Sequence, residues 1–200
     1  MGGDGPYECF LEDPLLIDLS GDGFPMTDAK GGVNFDFFGT GKPGRVSWTA
    51  AGAQDGWLAL DLNHNGKIDS GQELFSNAMA QPGPAQERLG FKALAIYDAP
   101  DHGGNGDGVI DARDAIYPKL LVWVDKNHNG VADPGELMTL QQAGIKAISL
   151  DYQPWGYSDA YGNQFRYRAQ VKWNDDEDNQ RQRWVYDVIL IPEAASKGGK

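Results

Sequence analysis

Short runs of apolar residues, set between glycine-rich turns, dominate the first third of the chain. PLLIDL from Pro14 reads as a buried strand, and VNFDFF, RVSW and WLAL read as further short strands. From Gln72 the spacing changes. QELFSNAM and ERLGFKALAIYD carry apolar residues three and four apart, as half-buried helices do, and QPGPAQ lies between them as a loop. DARDAIY and GELMTLQQAG read as two more short helices. LLVWV, between them, and KAISLDY, after the second, read as strands. The last third pairs YGNQFRYRAQVKW with RWVYDVILI around the charged turn NDDEDNQRQR, an antiparallel hairpin rich in Tyr, Trp and Val. These Trp and Tyr residues read first as sheet core; a platform for glycan or protein is the weaker alternative, which would make the chain an adhesion module. No linker divides the pattern. The expectation is one α+β domain over residues 14–191, with short antiparallel strands and several short helices organised around polar loops. A flexible lead-in, 1–13, precedes it and a mobile tail, 192–200, comes after it.

Composition narrows the partners. The 200 residues are 40% hydrophobic, enough for a core, and 17 basic against 29 acidic side chains give a net charge of −12. Nucleic acid and anionic membranes would repel such a chain, whereas cations suit it. No apolar run approaches the roughly 20 residues that cross a bilayer, and MGGDGPYECF lacks the features of a signal peptide, so an export signal is not expected within this chain. The single Cys9 can form no internal disulfide and reads as an incidental thiol.

One polar phrase occurs twice. DKNHNGVADPGE puts side-chain oxygens at positions 1, 3, 5 and 9 (Asp125, Asn127, Asn129, Asp133), a glycine at position 6 (Gly130) and a carboxylate at position 12 (Glu136). That is EF-hand spacing. A hard cation such as Ca2+ takes six to eight oxygens at about 2.3–2.6 Å, and alternate residues of a tight loop supply them, with the position-7 carbonyl (Val131) adding one. The alternative is an Asx-rich turn that only caps a helix beginning near Gly135. The other copy offers Asp61, Asn63, Asn65, the Lys67 carbonyl and Asp69, but Gln72 stands at position 12 and the carboxylate comes one residue later. Glu73 is therefore expected to close this loop.

A third loop, GGNGDGVIDARD, matches with Asn105, Asp107, the Val109 carbonyl, Asp111 and Asp114, yet its position 1 is Gly103. Asp101, or Asp98 before it, would have to supply the missing oxygen. The stretch also invites comparison with calcium β-rolls, a weaker reading because the unit does not repeat. In DLSGDGF, Asp18, Ser20, Asp22 and the Phe24 carbonyl fit the first half of a fourth loop, with Asp28 as the candidate closing carboxylate. FDFFGTGKPG from Asp36 has the outline of a fifth, but Phe38, Thr40 and Lys42 replace ligands, so a plain turn is expected. His64 and His128 sit at position 4, which points outward, and His102 has no partner at ligand spacing, which argues against catalytic zinc. No serine nucleophile elbow or phosphate-binding loop is present, so no conventional active site is expected.

In the order of these pieces, from DPLLIDLSGDGF through WLALDLNHNGKIDSGQELF, GGNGDGVIDARDAIY and LLVWVDKNHNGVADPGEL to AGIKAISLDY and YGNQFRYRAQV, the chain resembles the calcium-dependent self-processing module of FrpC-like RTX proteins and related bacterial secreted or surface modules. The resemblance covers about Asp13 to Ile191. It implies a calcium-stabilised, extracellular or cell-surface module, read here as monomeric; the loops would hold roughly two to four Ca2+ ions, and their few anionic ligands predict the weak affinities of extracellular sites. It also implies one reaction. Self-processing members cut at an Asp-Pro bond just before this first strand, where this chain has Asp13-Pro14. The Asp carboxyl attacks its own backbone carbonyl, expels the proline nitrogen and leaves an anhydride that water opens or a Lys amine captures as an isopeptide. Calcium at Asp18 would be the trigger. Against this, any Asp-Pro can be simply a strand start.

Overall fold

The computed structural model describes residues 11–174 and 183–193. Cys9 and most of the expected lead-in, the charged turn at 175–182 and the tail at 194–200 lie outside the described residues. Strands β1 (Leu15–Ile17), β2 (Val33–Phe35), β3 (Gly44–Val46), β4 (Gly56–Ala59), β6 (Leu121–Trp123), β8 (Ile145–Ser149), β10 (Gln164–Trp173) and β11 (Arg183–Ile189) overlap the apolar runs read as strands. Three more complete the set: β5 (Val109–Asp111), β7 (Leu137–Thr139) and β9 (Gln153–Ser158). β2 and β3 form a two-stranded ribbon; the other nine make one sheet in the order β5-β8-β10-β11-β1-β4-β6-β7, with β9 also on β10. Every pairing is antiparallel.

This overturns the α+β expectation. Among the described residues there is one α-helix, Gly90–Ala95, with a few 3-10 turns, and the architecture is antiparallel β. GELMTLQQAG supplies β7, which pairs with β6. Of QELFSNAM only Gln72 and Glu73 are helical, as the end of the 3-10 turn Gly71–Glu73, after which Leu74 bridges to Ala59 and the Phe75 amide donates to the Leu58 carbonyl. The physical reason is local. Nucleating a helix of two turns is unfavourable on its own, and each tight loop returns the chain alongside the strand that entered it, where ladder hydrogen bonds are immediately available. Three-and-four spacing over so few residues does not separate the two outcomes.

The central strands are buried on both faces, which is why PLLI and LLVWV read as unbroken apolar runs. Alternation along each strand feeds opposite cores. Leu15, Ile17, Leu58, Val122 and Val124 join one core with Phe91 and Leu94 of the helix. Leu16, Trp57, Ala59 and Trp123 join the other, beneath the β2-β3 ribbon. Trp48 anchors that second core, its ring 4.7 Å from Trp57 and 5.5 Å from Trp123 by centroid. Gly130 ties a polar loop to this ribbon: with φ +71° and Asn34 O only 2.7 Å from where a Cβ would stand, no larger residue fits without movement.

Candidate functional site

The loop after β6 is a hairpin. The Val124 amide donates to the Glu136 carbonyl, so the chain enters and leaves the loop side by side. At its head, buried Asp125 accepts the Asn129 amide at 3.1 Å on one oxygen and the Gly130 amide at 2.8 Å on the other. At its tail, buried Glu136 accepts the Lys126 amide at 2.9 Å and the Asp133 amide at 3.1 Å. The Asn127 and Asn129 side-chain amides both donate to one Asp133 oxygen at 2.8 Å, and together they hold that carboxyl below its ordinary range. His128, at φ 57°, turns away from this cluster. Its ring nitrogens reach the Thr49 and Gly31 carbonyls and fasten the loop to its neighbours.

The Asp61 loop repeats this frame. Asp61 takes the Asn65 and Gly66 amides at 3.2 and 2.8 Å, and the Asn65 side chain donates to Asp69 at 2.7 Å. Asn63 accepts the Asn65 amide through its own oxygen. Glu73 takes the Leu62 amide at 3.1 Å and the Asp69 amide at 3.0 Å, the same two places that Glu136 serves in the other copy. Gln72 is exposed and donates to the Phe38 carbonyl at 3.0 Å. The extra residue is absorbed in the 3-10 turn Gly71–Glu73, which rotates Gln72 out and Glu73 in. Burial raises the Glu73 carboxyl, an effect opposed by these amides.

In the third loop it is Asp98 that stands at the head, buried and accepting the Gly106 and Gly108 amides at 3.0 and 2.9 Å. Asp101 lies exposed on the 3-10 turn Pro100–His102, outside the frame. Asp114 closes the loop by taking the Asn105 amide at 3.2 Å and the Asp111 amide at 2.8 Å. Asn105 donates to Asp107. Arg113 lies across Asp107 and Asp111 at 2.6 and 2.7 Å, an internal cation in the same neighbourhood. Position-7 residues Lys67, Val109 and Val131 donate their amides to the position-5 side chains at 2.8, 3.1 and 2.7 Å.

The Asp18 loop has a head and no tail of its own. Asp18 is buried and accepts the Gly21 amide at 2.6 Å and, more weakly, the Gly23 amide at 3.4 Å; Ser20 donates to Asp22. Asp28 is exposed and caps its own turn through the Gly31 amide at 2.6 Å. Phe24, at position 7, stacks on Phe165. Even the degenerate Asp36 loop keeps the backbone frame, with Asp36 accepting the Thr40 and Gly41 amides. Positions 4 and 6 have positive φ in all five loops, occupied by glycine or, twice, by histidine. Among the described residues no three His, Cys, Asp or Glu side chains are drawn together as a ready cage. Each head and tail carboxylate is nonetheless held in place chiefly by backbone amides, and among the described residues no lysine or arginine pairs with it. That donor set of carboxylate and amide oxygens fits a hard cation.

The partners of Asp13 were hidden from sequence reasoning. Asp13 is buried, accepts the Asn77 amide at 2.6 Å on one oxygen and is ion-paired to Arg166 on the other. Arg166 also holds fully buried Asp187 at 2.8 Å. One guanidinium thus serves two carboxylates. Burial, then repulsion from Asp187, pushes the Asp13 carboxyl up, against the pull of Arg166. The bond after it is pinned on both sides: Leu190 and Val188 amides donate to the Glu12 and Pro14 carbonyls, and the Leu15 amide to the Phe75 carbonyl. The only signal in the sequence was alternation on β10 and β11 broken by charge. Of the C-terminal aromatics, Trp173 and Tyr186 are core, while Trp155, Tyr157 and Tyr161 are exposed, with Arg168 stacked 3.6 Å over the Trp155 ring.

An antiparallel β-sheet whose hairpins end in Asp- and Asn-lined turns, with a buried Asp-Pro junction just before a central strand, is the class of module that fold and site define. The chain belongs to the SPM domain family, whose model matches residues 15–190. It is similar to the iron-regulated protein FrpA of Neisseria meningitidis serogroup C, with 39% identity over 151 residues, 74% of this chain. The match spans 13% of that relative's length.

Proposed function

We propose that this chain is a calcium-binding module of an RTX-related bacterial protein, monomeric and acting outside the cell, stabilised by Ca2+ in its hairpin loops. The observation that carries this reading is the common frame of the Asp125, Asp61 and Asp98 loops. In each, a head aspartate and a tail carboxylate are fixed by backbone amides across a cluster of Asn and Asp oxygens. Asp125, Asn127, Asn129, Asp133 and Glu136 would hold one ion; Asp61, Asn63, Asn65, Asp69 and Glu73 a second; Asp98, Asn105, Asp107, Asp111 and Asp114 a third. The ion would supply the charge that offsets repulsion among these carboxylates, so binding and folding are linked. Urea unfolding with about 5 mM Ca2+ and with chelator tests this. Sites with dissociation constants near 10⁻⁴–10⁻³ M should each add about 1–2 kcal/mol. Coincident midpoints would sink the reading.

The second loop gives a sharper test. Glu73→Gln should weaken one calcium site about tenfold or more by titration calorimetry, while Gln72→Ala leaves all sites unchanged, because Gln72 faces Phe38. The reverse ranking would reassign the closing ligand.

A second reading, favoured by the buried and pinned Asp13-Pro14 junction, is calcium-triggered self-cleavage. In it an Asp13 carboxylate oxygen bonds to the Asp13 carbonyl carbon, closing a five-membered ring, while the C–N bond to Pro14 breaks and the proline nitrogen takes up a proton. Water opens the anhydride, or a Lys amine captures it. The ring closure draws on high effective molarity. Arg166 and the Asn77 amide would orient the carboxyl, and Pro14 would become the new N-terminus.

A further inference from the structure

The Asp18 loop lacks a closing carboxylate in its own sequence, yet one is delivered from elsewhere in the fold. β1 pairs antiparallel with β4 through Leu16↔Trp57 and Ile17↔Gly56. One step further along the same ladder, Asp18 comes after Ile17 and Asp55 precedes Gly56. Side chains directly opposite each other in a ladder share a face, so Asp18 and Asp55 both fall on the side of Leu16 and Trp57, next to Tyr186, which pairs with Leu16.

Asp55 is 1% exposed, and among the described residues neither of its carboxylate oxygens has a hydrogen-bond partner. That makes it the exception among the buried acids of the loops and the junction, since Asp13, Glu73, Asp98, Asp114, Asp125 and Glu136 all accept backbone amides. A buried carboxylate without a partner is costly unless something cationic or protonated meets it. The residue that the ladder sets opposite Asp55 is therefore the position-1 residue of the incomplete loop. In the Asp125 and Asp61 loops, the tail carboxylate lies by the position-2 amide; the position-2 residue here is Leu19.

We infer that Asp55 is the missing tail ligand of a further Ca2+ site, completed across strands by Asp18, Ser20, Asp22 and the Phe24 carbonyl, with Asp28 taking no part. This inference rests on the calcium reading and extends it to a residue that loop spacing would never select, 37 positions after Asp18. All donors are oxygen, and three are carboxylates, the set that a hard divalent cation takes in preference to a softer metal. An ion so held would staple the end of β1 to the start of β4, four residues after the Asp13-Pro14 bond leads into the strand. Calcium at this place would thereby act on the strand that carries the junction, through a ligand from its neighbour.

The test is calcium titration of the full chain after chelator treatment, by calorimetry with native mass spectrometry to count ions. Wild type, Asp55→Asn, Asp18→Asn, the double variant and Asp28→Asn are compared, and near-UV circular dichroism in the absence of metal checks that each is folded. Asp55→Asn should lose one ion, or weaken one site tenfold or more, and should match Asp18→Asn; the double variant should show no further loss, and Asp28→Asn should match wild type. An unchanged count and affinity in Asp55→Asn would overturn the inference while leaving the other calcium sites standing, as would loss of the site in Asp28→Asn. A wild type that binds no calcium would overturn both this inference and the calcium reading on which it rests. Because an asparagine relieves a buried unpaired charge, a purely structural role predicts a metal-free variant at least as stable as wild type with an unaltered ion count, which the same titration separates.

Discussion

Asp125→Ala should lower the unfolding free energy by about 2–3 kcal/mol in chelator and by more in calcium. The first figure comes from the amides it abandons. Asn129 and buried Gly130 both donate to Asp125, and a buried donor left unpaired costs about 1–3 kcal/mol. Water reaches the Asn129 end more readily, which keeps the total near the lower sum. The further loss in calcium is the linkage contribution of one site, about 1–2 kcal/mol at a few millimolar. Urea melts of both proteins under both conditions give the four values. If the variant lost the same amount with and without calcium, Asp125 would be a hairpin-capping residue and no ligand.

Asp13→Asn should abolish a mass loss that calcium provokes in the wild-type chain. Wild type incubated with calcium is expected to release residues 1–13, or to form Lys-linked adducts carrying them, and with chelator to remain intact. An intact wild-type mass in calcium at every pH would remove the self-cleavage reading and leave the calcium reading in place. The pH dependence has a definite sign. Attack requires the charged carboxylate, and burial and Asp187 hold Asp13 protonated above its ordinary range, so cleavage should speed up as pH rises through that raised titration. Stability should move the other way. The folded chain keeps a proton here that the unfolded chain, with an aspartate near 3.9, has released. This contribution is full below about pH 4 and is lost as pH rises toward the folded value. Melting temperature in chelator should therefore fall from pH 5 to pH 8, and Asp13→Asn should flatten part of that fall, since it removes the group whose proton is lost.

Much of the loop geometry was legible because its signals are local. Asp at the head with a left-handed residue at positions 4 and 6 prescribes the loop backbone by itself, and the Asp36 loop shows how little the other side chains matter to it: its backbone folds like the rest although Phe38 and Thr40 stand at positions 3 and 5 and Ser47 at position 12. The turn of Glu73 into the loop and of Gln72 away from it was legible for the same reason, as one added residue in one loop. The strands were legible because central β1, β4 and β6 are apolar on both faces.

What the sequence could not determine depended on which segments meet. GELMTLQQAG has helix-like spacing, but β6 stands beside it and offers a ladder, so it becomes β7. Asp98 takes the head of the third loop in preference to Asp101 because a 3-10 turn at Pro100 lifts Asp101 into solvent and leaves Asp98 facing Gly106 and Gly108. Asp13, Arg166 and Asp187 are scattered along the chain and meet only because β11 pairs with both β1 and β10. Asp55 meets Asp18 only through the register of β1 on β4. Residue types and short spacings are properties of a segment and survive in its sequence. A register between distant strands is set by how whole faces bury against each other, and that is decided only when the chain folds.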